Sequence, residues 1–149
     1  MHPIYPVVEH LHSALRWLLL VLLIVSIVIS LYKYLINKGL SSSQKLLAQL
    51  TVYAAHLQLV AGILLYLVSP KVIFSSDSLK SPMLRFFLVE HVSAMLIAIA
   101  LITIGFSRFR KSGSSSRAVR QLFWYYLLAL VIILAMIPWP FMHYGGQWI

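Results

Sequence analysis

The chain has 149 residues, of which 61% are hydrophobic and 10% charged, with 12 Lys and Arg against 3 Asp and Glu. A soluble domain is about one-quarter charged, so this composition excludes a water-coated globule and points to a membrane protein. With no cysteine, disulfides, thiolate metal sites, iron–sulfur clusters and covalently attached haem are excluded, and the net charge of +9 sits in short loops where membrane topology explains it without nucleic acid.

Four apolar segments are long enough to cross a hydrocarbon layer of roughly 30 Å, which takes about 20 helical residues. They run approximately over residues 9–34, 46–68, 82–106 and 118–139. The first opens with EHLHSALRW, so an acid, two histidines and an arginine enter the span with it. This segment is too long, and too poor in N-terminal positive charge, for a cleaved signal peptide, and no small-residue cleavage site follows it. It is expected to remain in the mature protein.

The connections carry their own signals. NKGLSSSQK offers a glycine at a helix exit and serines suited to capping the next entry, and SRFRKSGSSSRAVR repeats that logic with more charge. SPKVIFSSDSLKSP starts with a helix-stopping proline and ends in Ser81-Pro82, a fitting N-cap and N1 pair. Pro138 and Pro140 end the fourth segment. Short connections between four antiparallel helices predict an all-α integral membrane protein, a single domain folded as a four-transmembrane-helix up-and-down bundle.

Lysine and arginine set the expected orientation. Loop one holds Lys33, Lys38 and Lys45, and loop three holds Arg108, Arg110, Lys111, Arg117 and Arg120, whereas loop two has Lys71 and Lys80 around Asp77 and the C-terminal tail has no basic residue. The positive-inside rule puts loops one and three in the cytoplasm, with both termini and loop two outside. Trp124, Tyr125 and Tyr126 then mark the inner interface, and Trp139, Phe141, Tyr144 and Trp148 the outer one.

The polar groups inside the spans are His12, Arg16, His56, Gln58, Glu90 and His91. Ionisable groups in lipid cost roughly 2.5–3.5 kcal/mol each on insertion scales, so they face the bundle interior, where they pair or mark a function. Histidines on three helices, without cysteine, fit haem b best among metal chemistries, because its iron takes two axial imidazoles and its macrocycle is an apolar plate that slots between helices. Small residues near them, Ala94, Ala98 and Gly105 beside His91 and Ala55 and Gly62 beside His56, read either as room for a flat ring or as ordinary close helix contacts. No HExxH, serine-hydrolase signature, glycine-rich phosphate loop or paired carboxylates occur.

The phrases HLHSALRWLLL, HLQLVAGILLYLVSPKV, RFFLVEHVSAMLIAIALITIG and IPWPF resemble the small bacterial four-helix membrane proteins usually labelled cytochrome b, over nearly the whole chain. More distantly, the chain is similar to one half of heme A synthase, although it lacks that enzyme's longer outer loops. These resemblances imply a protein of the bacterial inner membrane and make His12, His56 and His91 the candidate haem ligands.

Height separates the three. At about 1.5 Å per residue, His12 lies roughly 31 Å above Lys33, His91 about 25 Å above Arg108 and His56 about 16 Å above Lys45. His12 and His91 are closer in level and lie on helices that are diagonal in a simple bundle, so they are the favoured axial pair over one involving His56. His56 would sit beneath as a hydrogen-bonding or proton-relay group. Glu9, His12 and Arg16 share one helix face. Arg16 or Arg85 would hold a haem propionate; alternatively Arg16 pairs with Glu90 and neither touches a cofactor.

The expected function is electron transfer by a b-type cytochrome in a respiratory or quinone-linked chain, in contact with the lipid bilayer and with quinone or other redox subunits. Two alternatives stand beside it. One is a cofactor-free accessory or assembly subunit of a larger membrane complex; assembly as a homo-oligomer or within a larger complex is compatible with each reading. The other is a membrane enzyme that modifies haem or quinone.

Overall fold

The computed structural model describes residues 4–142 and 144. Four long helices form it: α1 (Tyr5–Leu35), α2 (Ser42–Val68), α3 (Pro82–Ser112) and α4 (Ser116–Met136), each long and apolar enough to cross a membrane. The protein is thus a multi-pass, all-α membrane protein. α1 packs on α2, α2 on α3, α3 on α4 and α4 back on α1, which leaves α1 and α3 diagonal across an up-and-down ring.

Local chemistry sets the ends. The backbone of Pro6, which lacks an N–H, falls in the first turn of α1, where none is needed. Asn37, with φ of 56°, takes the left-handed position that ends α1, a conformation asparagine tolerates. The sequence offered Gly39 for this exit. Gly39 instead lies against loop three, where a Cβ would strike the Ser114 backbone, while Ser114 Oγ donates to the Leu40 carbonyl at 3.2 Å. Ser41 caps α2 in a reciprocal box with Gln44, and Ser115 caps α4 by accepting from Ala118 N at 3.2 Å. Pro82 begins α3 as the sequence predicts. α3 runs on to Ser112 and α4 begins at Ser116, so the charged stretch expected as a loop is mostly helix, leaving residues 113–115 to turn the chain. Gly113 makes that turn possible with φ of 70°.

At the end bearing loops one and three, hereafter the basic end, the bundle is closely packed. Tyr126 is 0% exposed and its hydroxyl donates to the Ala48 carbonyl at 2.8 Å, tying α4 to the diagonal α2. This corrects its expected place in the inner aromatic belt: the ring is a core residue, while its neighbour Trp124 is exposed. Thr51, fully buried, donates to Leu47 O at 3.0 Å and lies 3.0 Å from Ser26 Oγ on α1. Gly105 lets α3 approach α4 so closely that a Cβ would meet Tyr125 Cβ at 2.5 Å. Trp139 and Phe141 stack at 6.1 Å near the opposite end; Trp148 lies outside the described residues.

α3 is not α-helical throughout. Residues Phe86–Glu90 form a π-turn, with the His91 N–H reaching back five residues to the Phe86 carbonyl. Such single widened turns inside α-helices concentrate at functional sites. This one stands immediately before His91.

Candidate functional site

Toward the loop-two end the helices part around a cavity of about 340 Å³, within the ~300–1,000 Å³ range of ligand and cofactor sites. Its polar lining comes chiefly from α1 (Glu9, His12, Arg16), Gln58 on α2 and His91 on α3. The rest is mainly apolar, including Leu19, Met95 and Ile99. EHLHSALRW thus places three polar groups on one wall, as its spacing of three and four predicts.

His91 is held by the end of α4. Its Nδ1 lies 2.7 Å from the Met136 carbonyl oxygen; a carbonyl only accepts, so Nδ1 carries the proton and Nε2 keeps the lone pair. The carbonyl is available for a reason written in the sequence. In a continuing helix Met136 O would accept from the N–H four residues on, but that residue is Pro140. Pro138 does the same for Leu134, whose carbonyl accepts from Trp139 Nε1 at 2.9 Å. IPWP thus ends a helix and supplies an acceptor that fixes the imidazole's tautomer. The small strip expected beside His91 faces elsewhere: Ala98 is fully buried, Gly105 abuts Tyr125, and neither they nor Ala94 line the cavity.

His12 approaches α2 where that helix is thinnest. A Cβ on Gly62 would meet His12 Cε1 at 3.3 Å, so Gly62 makes room for the ring of His12, not of His56. His12 Nε2 lies 3.2 Å from Gln58 Nε2, which donates to it. That bond leaves two buried atoms, His12 Nδ1 and Gln58 Oε1, without a hydrogen-bond partner among the described residues. Buried polar groups are normally paired. Unfilled capacity on two neighbouring side chains leaves this wall able to take a polar partner from the cavity.

Glu9 closes the mouth. It accepts from Tyr5 Oη at 2.7 Å and from Lys71 Nζ of loop two at 3.5 Å, and Lys71 also lies 5.3 Å from the centre of the Phe87 ring. Tyr5 and Lys71 are site residues that sequence reasoning missed, because nothing in their local pattern joins positions 5, 9 and 71.

Three expected site residues stand apart from the cavity. Arg85 Nε donates to Glu90 Oε1 at 2.6 Å, a pairing five residues apart that the π-turn brings into line. Glu90 is therefore the partner of Arg85, which corrects the alternative of an Arg16–Glu90 pair. His56 is exposed on the outer surface of α2, with Nε2 3.0 Å from Thr103 Oγ1 on α3. Among the described residues, no cluster of three or more His, Asp or Glu side chains converges as a metal site. No protein-family model, curated protein or solved structure matches the chain.

Proposed function

We propose that the protein is a membrane b-type cytochrome that holds haem b between His12 and His91. The observation that carries this reading is the pair of imidazoles from diagonal helices lining one largely apolar cavity, one of them with its tautomer set by a backbone carbonyl so that Nε2 keeps its lone pair. Metal-ligating histidines characteristically donate their second nitrogen to a carbonyl or carboxylate, which orients the ring and raises its basicity. The Met136 bond to His91 is of that kind.

Bound there, haem b would supply a reversible one-electron carrier. The chain's own residues supply the rest: Met136 orients His91, Arg16 offers the cavity a guanidinium suited to a propionate, and His12 would give up its bond from the Gln58 amide to free the Nε2 lone pair for iron. The Glu9–Lys71 contact pins loop two over the mouth and limits water entry. The basic residues near loops one and three support placing that end in the cytoplasm and the cavity near the outer face, with the protein in a bacterial inner membrane.

The test is the visible spectrum of gently purified protein from haem-replete cells, oxidised and then reduced. A Soret band with six-coordinate low-spin character, lost on acid-acetone extraction, is expected. Folded protein with no Soret absorption overturns the reading.

A further inference from the structure

The outward face of α2 carries polar side chains at depths where lipid offers no hydrogen-bond partner. At about 1.5 Å per residue, Gln49, Tyr53 and His56 lie roughly 11, 17 and 21 Å along this 27-residue helix, inside a hydrocarbon layer of ~30 Å centred on it. Tyr53 is 52% exposed, and His56 is exposed beside it. Polar groups at that depth normally face protein. A face that keeps them outside calls for a protein cover.

The seam with α3 meets part of that demand. Thr103 donates its proton to Ile99 O at 2.8 Å, so its oxygen accepts from His56 Nε2 at 3.0 Å. What is left on α2 is a matched pair. Gln49 Nε2 donates to Tyr53 Oη, which leaves the phenol O–H as a donor and Gln49 Oε1 as an acceptor, both without a partner among the described residues. Being bonded to each other, the two groups lie at one level. A copy of the chain related by a two-fold axis along the membrane normal keeps that level and the same topology, and such an interface is self-complementary. Each Tyr53 O–H then meets Gln49 Oε1 of the second copy, and four side chains close into a ring. With the amides turned the other way the ring closes as well, each Gln49 N–H donating to the Tyr53 oxygen of the second copy.

Next to this pair, Tyr53, His56, Leu57 and Val60 line a shallow hollow on the same face. Residues at offsets of three, four and seven are those that form the hole for one knob between two supercoiled helices. In a parallel two-fold pair each residue faces its own counterpart, so the knob for this hole is Leu57 of the second copy. Leu57 is 57% exposed. The stripe continues at alternating spacings of three and four through Leu50 on one side and Leu64 and Leu67 on the other, all exposed.

We infer that the outward face of α2 is the contact surface for a second copy of this chain, joined by a Gln49–Tyr53 ring and by Leu57 seated in the hollow. His56, which stands apart from the cavity, becomes a wall of that hollow. The interface lies outside the cavity and does not depend on haem.

The chain has no cysteine, so a single introduced thiol reports its own neighbourhood. Two differently tagged copies of the full chain are produced in one membrane, treated there with a mild thiol oxidant and separated without reductant. Leu57→Cys is expected to give a product of twice the chain's mass that carries both tags, and Leu64→Cys to do the same, as a parallel pair requires. Val131→Cys, 56% exposed on the outward face of α4, should give little. Wild type reconstituted at graded protein-to-lipid ratios should show two chains per particle by single-molecule photobleaching. The double variant Gln49→Leu/Tyr53→Phe should need severalfold higher density to pair, whereas Tyr32→Phe, which removes a hydroxyl from a position 60% exposed on α1, should pair as wild type does. No more product from Leu57→Cys than from Val131→Cys would mean that lipid covers the face, and a product of one tag and another mass would mean that a different subunit does. Either result overturns the inference, as does unchanged pairing in the double variant. Neither measurement reads haem, so the inference and the cytochrome reading stand or fall separately.

Discussion

The two ends of this bundle use the same material differently. At the basic end, polar side chains are spent on packing: the Tyr126 hydroxyl on Ala48, Thr51 with Ser26 and Leu47, and Gly39 and Gly105 drawing backbones together. Each of these hydroxyls has a partner, and the bonds and close approaches draw the helices together. At the loop-two end, the helices stand apart, α3 is interrupted by a π-turn, and His12 and Gln58 keep buried atoms unpaired. The contrast shows how a chain of four hydrophobic rods acquires a site. One end is tied tightly enough that the other can stay open.

If that division of labour holds, removing mass from the two ends has unequal consequences. Tyr126→Ala deletes a fully buried ring and its hydrogen bond, and is expected to cost about 3–5 kcal/mol, read as a large fall in the detergent unfolding midpoint. Tyr126→Phe keeps the ring and should cost only about 1 kcal/mol. Equal losses from the two would mean that the hydroxyl, not the packing, holds this end together.

Adding mass at the open end sharpens the same comparison. Gly62→Ala places a methyl 3.3 Å from His12 Cε1, a contact the ring relieves by shifting a few tenths of an ångström into the cavity. An overpacking cost of about 1–3 kcal/mol is offset by about 1 kcal/mol of helix propensity gained, so the net loss of stability is expected to stay below about 2 kcal/mol. The displaced imidazole should nevertheless alter the haem spectrum. A large loss of stability with an unchanged spectrum would show that His12 is clamped as a structural group.

Much of this was legible in the chain. Apolar run length fixed the number of spans, Ser41, Ser115 and Pro82 announced helix starts, and the 9–12–16 spacing put Glu9, His12 and Arg16 on one wall. What escaped depended on contacts between distant residues or on a broken period. A steady 3.6-residue reading put Ala94, Ala98 and Gly105 on the His91 face, either as room for a ring or as close helix contacts; Ala98 and Gly105 are close contacts, one in the core and one against Tyr125 of α4, while Met95 and Ile99 face the cavity. The π-turn has no local signature in RFFLVEH, yet it decides that Arg85 meets Glu90. His56 looked interior because ionisable groups in lipid normally are, but a single threonine across the seam holds it at the surface. One missed feature did leave a trace: Pro140, four residues past Met136, marks the carbonyl that His91 uses.

The central claim is that His12 and His91, and not His56, hold the iron. Its most direct test is the coordination state of haem in the three alanine variants, each normalised to folded protein. His12→Ala and His91→Ala are predicted to lose the six-coordinate spectrum, and His56→Ala to keep it. Loss of that spectrum in His56→Ala alone, or its survival in all three, would contradict the account.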